Sequence, residues 1–299
     1  MQFALRNGRR PAARRPRPGA ALLLLLLMTP LIGACDHLFF QPDRHLYLTP
    51  EQFGLWHEEV GFDSGDGTRL SGWFLPARGS ALGTVIQFHG NGANISNHLY
   101  AVRWLPYAGY NVFLFDYRGY GRSAGSPDRA GAIADGVAAI RYVRGRKDVD
   151  ARRLVLLGQS LGGAIGLSAL ARAGTAGFRA IVIEASFVSY REVVRLILAR
   201  SWLTWPFQYP AAYLLFSDRL GPRQDLPALA ALPLLVVHGT ADSIVPIQAG
   251  RELYDAFPGP DKAFWPIPGA DHVEAFSVPA SPWREPLLKW LAQKLGSPE

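Results

Sequence analysis

Leu154-Val155-Leu156-Leu157-Gly158-Gln159-Ser160-Leu161-Gly162-Gly163 is the stretch on which the reading of this chain turns. Its four leading apolar residues describe a short strand covered on both faces. They run into a Gly-x-Ser-x-Gly turn, and Leu161 to Ala173 then has the length and composition of a helix. A serine at so sharp a strand-to-helix turn occupies a strained backbone, and the two flanking glycines lack the Cβ atoms that would collide across it. The hydroxyl of Ser160 is thereby held clear of the backbone, beside the positive end of a helix. The alternative is a Gly-rich turn that serves only close helix packing.

Outward from this stretch, short apolar runs alternate with segments of helical length. Trp56 to Phe62 and Arg69 to Leu75, separated by Asp63-Ser64-Gly65-Asp66-Gly67, predict an antiparallel hairpin closed by an Asp-Gly turn. Thr84 to Phe88, Val112 to Phe115, Ile181 to Ile183, Leu234 to Val237 and Ala263 to Ile267 predict further buried strands. Helices are expected over Asn97 to Ala108, Ala130 to Arg144, Leu161 to Ala173, Gln248 to Phe257 and Pro282 to Leu295. The alternation implies an α/β fold, with a mostly parallel central sheet and helices on both faces. Ligands in such sheets bind beyond the carboxyl ends of the strands. Residues 187–230 break the pattern and predict a small helical lid, rich in aromatics and interrupted by Pro206 and Pro210.

A serine hydroxyl needs a base, and the base needs an acid to hold its tautomer. Two histidines follow Ser160. His238 ends an apolar strand and reads as a packed or locally hydrogen-bonded residue, whereas His272 lies in a loop after the last strand and is the expected base. Asp242, in a turn-like segment after the Leu234 strand, is the expected acid. Glu184, at the end of the preceding strand, is its rival, and Asp271 adjoins the base too closely to reach its far nitrogen. For the oxyanion of a tetrahedral intermediate the backbone amides of Leu161 and Asn91 are the expected donors, the latter from the glycine-rich loop His89 to Asn94. Trp202, Trp205, Phe207 and Tyr213 are candidates for an acyl-binding surface, or simply pack the lid onto the core.

With these motifs in place the chain resembles the α/β-hydrolase superfamily, in the small-lid branch that holds bacterial hydrolases and depalmitoylase-like enzymes. The resemblance rests on His89 to Asn94, Asp116-Tyr117-Arg118-Gly119-Tyr120-Gly121, Gly158 to Gly163, His238 to Pro246 and Asp271-His272, and spans about residues 55–295. It implies the partner order Ser, acid, His, and a loop-supporting role for Asp116 and Arg118 rather than substrate contact. Ser160 at the elbow argues against the dehalogenases and epoxide hydrolases of this fold, which resemble one another in using aspartate there, and against dienelactone hydrolases, which use cysteine. Acyl transfer from an ester or thioester to water remains, with an aminopeptidase-like amide hydrolase and a non-catalytic binding protein as alternatives. No zinc-ligand spacing and no phosphate-loop lysine occurs, so no cofactor and no metal are expected.

The formal charge of +7 is concentrated at the N-terminus, where residues 1–35 carry six arginines and no acid. The remainder is nearly neutral, which argues against nucleic acid as a partner. Those arginines lead into the apolar stretch Ala20 to Ala34, too short at this length and with Pro30 within it for the ~20 residues of a spanning helix. Residues 1–35 therefore read as an export signal, with an uncleaved membrane anchor as the alternative, and residues 36–299 as the hydrolase domain. Leu31-Ile32-Gly33-Ala34-Cys35 resembles the lipobox of bacterial lipoproteins, which implies acylation of Cys35, the sole cysteine, and a membrane-tethered protein facing the periplasm or cell exterior. Asp36 beside it implies retention at the inner membrane of a Gram-negative cell. Natural substrate, acyl length and oligomeric state are not legible in the sequence.

Overall fold

The protein is described by a computed structural model covering residues 39–296; the segment expected to be an export signal and Cys35 lie outside the described residues. Among the described residues eight strands form one sheet: β1 (Glu58–Asp63), β2 (Arg69–Leu75), β3 (Gly83–Phe88), β4 (Tyr110–Phe115), β5 (Leu154–Gln159), β6 (Phe178–Glu184), β7 (Leu234–Gly239) and β8 (Lys262–Ile267). Their spatial order is β1-β2-β4-β3-β5-β6-β7-β8. β2 runs antiparallel to both neighbours and every other pairing is parallel. The hairpin turn closes as its sequence demands: Gly67 takes φ 82°, and the Ser64 amide donates to the Thr68 carbonyl at 2.9 Å.

The helices are α1 (Ile95–Val102), α2 (Arg129–Gly145), α3 (Leu161–Ala173), α4 (Tyr190–Leu198), α5 (Gln208–Leu215), α6 (Ile247–Ala256), α7 (Glu274–Ser277) and α8 (Arg284–Leu295). Alternation along each strand divides the core between the sheet's two faces. Leu154 and Leu156 join Ile133 and Ile140 of α2 and Leu167 of α3 on one face. Val155 and Leu157 join Leu99 of α1 and Leu287 and Leu291 of α8 on the other. Both sides of β5 are therefore dry, as its unbroken apolar run requires.

One expected helix is shorter than its sequence suggests. Asn97 to Ala108 reads as a single helix, but α1 ends at Val102 and a separate 3-10 turn occupies Pro106–Ala108. Pro106 has no amide to continue the ladder, and Gly109 reverses the chain at φ 87°. Within residues 187–230 lie α4, α5 and three short 3-10 turns, a helical insertion between β6 and β7.

Candidate active site

Ser160 sits between β5 and α3 with φ 52° and ψ −125°, outside the regions that L-residues favour. Its neighbours make that geometry obligatory. A Cβ on Gly158 would lie 2.6 Å from the Gly163 Cα, and one on Gly162 would lie 2.1 Å from the Phe88 carbonyl oxygen. The elbow is tied to the end of β6 and the residues just after it by two bonds: the Ser160 amide donates to the Glu184 carbonyl at 2.9 Å, and the Ser186 hydroxyl donates to the Ser160 carbonyl at 2.6 Å.

Asp242 and His272 come from the loops after β7 and β8, so both lie at the same edge of the sheet as Ser160. His272 Nδ1 is 2.9 Å from Asp242 Oδ2, while Asp242 Oδ1 accepts the amides of Ile244 and Val245 at 2.9 and 2.8 Å. Burial would raise this carboxyl, but the His238 and His272 bonds outweigh it and hold it well below the usual carboxylate range. An ionised Asp242 makes His272 Nδ1 the protonated nitrogen, which leaves Nε2 free to accept. His238 Nε2 lies 2.9 Å from the Val245 carbonyl and 3.3 Å from Asp242 Oδ2, so it braces the acid loop from within the core. Asp271 clamps the two loops together, its Oδ1 accepting the amides of Ser243 and His272 at 2.6 and 2.7 Å. Among the described residues the Ser160 hydroxyl makes no hydrogen bond, to His272 or to any other group. Unliganded sites often show such loose contacts.

Glu184 is placed away from the role of acid. Its Oε1 accepts the Ala275 amide at 2.9 Å and its Oε2 accepts from Gln159 Nε2 at 2.6 Å. Gln159 Oε1 in turn accepts from Gln87 Nε2 at 2.7 Å. Burial pushes the Glu184 carboxyl up against these donors. The chain of bonds joins the residue before Ser160 to the segment just after His272. Asp116 and Arg118 are also structural: Asp116 Oδ1 accepts the Ile95 amide at 2.9 Å, and Arg118 is paired with Asp135 and Asp66.

In the loop after β3, Gly90 approaches the elbow so closely that a Cβ there would meet the Ser160 Cβ at 3.3 Å and His98 Cε1 at 3.4 Å. Asn91 follows it. The Asn91 side chain accepts from Gln41, Gly92 and Tyr120 and so holds its own loop in shape. Leu161, first residue of α3, has an amide with no partner inside the helix. His98 escaped the sequence reading: no spacing links it to Ser160, yet folding puts its half-buried ring beside the elbow, with Nε2 3.1 Å from the Gly92 carbonyl.

The lid aromatics depart from expectation. Trp202, Trp205, Phe207 and Tyr213 are 87, 60, 62 and 46% exposed, so they neither pack the lid onto the core nor wall an enclosed acyl pocket here. The physical reason is the shortness of the helical pieces: α5 fully buries only Gln208 and Ala212, while Tyr209, Tyr213 and Leu214 stay exposed. Two clefts flank the site. One of about 430 Å³ lies between α4 and the acid loop and reaches Asp242. Another of about 530 Å³, behind the Asn94 end of the glycine loop, includes none of Ser160, Asp242 and His272.

Residues 79–221 match the family model described as serine aminopeptidase, S33. The chain is 36% identical over 274 residues to the uncharacterized protein YfhR of Salmonella typhimurium, covering 87% of this chain and 88% of that protein. It is 31% identical over 236 residues to the alpha/beta hydrolase domain-containing protein WAV2 of Arabidopsis thaliana, covering 77 and 76%. The fold is similar to that of the Pyrococcus furiosus esterase Pf2001, with a TM-score of 0.68 at 22% identity, covering 86% of this chain and all of that one. With its elbow serine, its sheet order and relatives above 30% identity along most of its length, the chain belongs to the α/β-hydrolase superfamily and is a hydrolase.

Proposed function

We propose that this protein cleaves carboxylic esters or thioesters through an acyl-enzyme. The observation that carries the reading is the Asp242–His272 pair at 2.9 Å on the same sheet edge as a serine held at φ 52°. Ser160 Oγ attacks the acyl carbon as His272 Nε2 takes its proton, and Asp242 stabilises the imidazolium that forms. The oxyanion is met by the amides of Leu161 and Asn91. His272 then protonates the departing alcohol or thiol, and a water activated by the same nitrogen releases the acid and restores Ser160. An aminopeptidase asks in addition for a carboxylate open to the substrate's ammonium. Glu184, the candidate, is buried with both oxygens occupied, which favours the ester or thioester reading.

The test is fluorophosphonate labelling followed by turnover of acyl esters, acyl thioesters and aminoacyl amides. Ser160→Ala should lose labelling and turnover while unfolding like the parent; labelling retained at another residue would overturn the assignment, and preferential cleavage of aminoacyl amides would move the activity to peptides. The proposal includes export and acylation at Cys35, supported by the sequence before it. Cys35→Ser should then move the protein from the membrane fraction to the soluble one.

A further inference from the structure

The lid carries a cluster of aromatic side chains that stay exposed among the described residues. Half of the large hydrophobic side chains that are exposed among the described residues lie between Ile197 and Leu214. Trp202, Leu203, Trp205 and Phe207 are consecutive members of this face, and Tyr209 and Tyr213 stack on each other at its flank, 6.3 Å between ring centres. Tryptophan and tyrosine beside apolar side chains, with arginines at the border, is the composition that partitions into the bilayer interface. In residues 187–230 Arg191, Arg195, Arg200, Arg219 and Arg223 stand against Glu192, Asp218 and Asp225.

The path of the chain says what covers it. The described fold begins at Phe39, whose ring meets Tyr190 of α4 at 4.9 Å and Phe216, just after α5, at 5.5 Å, both edge-on. Two residues later the Gln41 amide donates to Asn91 Oδ1 at 2.7 Å in the loop beside Ser160. The N-terminal segment therefore enters between the base of the lid and the mouth of the site. Three residues lie between Cys35 and Phe39, and the four extended steps across them reach at most ~14 Å. An acyl group on Cys35, which rests on the tether proposed above, would bring the base of the lid within that distance of the bilayer.

We infer that the exposed aromatic face of the lid docks on a phospholipid bilayer, with Trp202 and Trp205 immersed at its interface. The docked lid remains connected to the site: Arg200, after α4, donates to the backbone carbonyls of Asp242 and Ser243 at 3.2 and 2.9 Å. Substrate would then reach Ser160 from the membrane surface, which points to a lipid-borne acyl group as the substrate class.

The experiment reconstitutes the full chain into phosphatidylcholine vesicles whose acyl chains are brominated near the interface, and reads quenching of tryptophan fluorescence. The wild type should be quenched. Trp202→Phe/Trp205→Phe should lose at least half of the quenchable signal, whereas Trp56→Phe, which removes another exposed tryptophan, should keep it. Equal quenching in the wild type and the Trp202→Phe/Trp205→Phe variant, or none in either, overturns the inference. So does shielding of the two rings from acrylamide without vesicles: in a monomer it means that the N-terminal segment covers the face, and in a dimer dispersed by Trp202→Gln/Trp205→Gln/Phe207→Gln it means that a second copy does. Ser160→Ala and Cys35→Ser are run alongside, since docking needs no catalysis and the lid must be quenched without the acyl tether at sufficient lipid. Quenching kept in both variants upholds docking whatever becomes of the hydrolase and tether readings, which are judged by labelling and by membrane fractionation; loss of quenching in either variant at sufficient lipid overturns it.

Discussion

Val273 follows His272 and holds a β-branched side chain at φ 57°, a conformation such residues rarely adopt. Ala93, Ser160 and Ala185 share positive φ, and all four lie just beyond the ends of strands or in the loops that follow them. Strain of this kind persists only where surrounding bonds over-determine it. Around Ser160 and Val273 the determining group is Glu184, which accepts from Gln159 on one side and Ala275 on the other. Its carboxyl thus acts as a positioning group between the elbow and the base loop. Asp242→Asn should lower kcat by ~10⁴-fold through the wrong His272 tautomer. Glu184→Gln should lower it by only roughly 10- to 100-fold with KM little changed, because it misplaces rather than disarms the pair. Steady-state kinetics on the two variants check the ranking; a Glu184→Gln loss exceeding that of Asp242→Asn would make Glu184 the acid.

At the scale of elements, the decisive contact is α3 against the end of β3. The helix can start directly after Ser160 because Gly162 lets its first turn touch the carbonyls of Phe88 and His89, where a Cβ would stand at 2.1 and 2.3 Å. Those obstacles are backbone and cannot rotate away. Gly162→Ala should therefore cost more than the ~1–3 kcal/mol of ordinary overpacking, while Gly65→Ala, in open space, should be close to neutral. Urea midpoints and soluble yield measure both, and equal stability of the two variants would show that the elbow is not held by this approach. The lid obeys a looser rule. Its pieces are short and bury few side chains, so nothing in the packing compels the aromatic face inward.

For the whole molecule, stability against pH depends on carboxyls that folding removes from water. Asp116 is pushed up from 3.8 to about 7 by burial, against amide bonds from Ile95 and Arg122. The folded state then binds more protons than the unfolded one between those values, so its contribution is full below pH 3.8 and is lost as pH rises toward 7. Asp242 has the opposite sign: its contribution is present above its unfolded value and fades only in stronger acid. Below pH 6.5 the imidazoles of His89 and His98, pushed down by burial, act in the opposite sense, so the Asp116 contribution is read as a difference. From pH 5 to pH 8 denaturant unfolding should show the wild type losing on the order of a few kcal/mol relative to Asp116→Asn, and a difference that does not change with pH would show that Asp116 does not titrate in this window.

How much of this the sequence itself determined follows from the range of the forces involved. Strand order along the chain, the elbow and the candidate residues Ser160, Asp242 and His272 were legible because local sterics and burial on both faces write themselves into neighbouring residues: glycines two positions from a serine, and unbroken apolar runs. The end of α1 was misread because Pro106 and Gly109 act within an otherwise helical pattern. His98 beside Ser160, the Gln87–Gln159–Glu184 chain and the outward lid face were not legible. Each depends on contacts between residues distant in sequence, or on side chains left without a contact, and only the packed sheet decides which ends of the chain share a site.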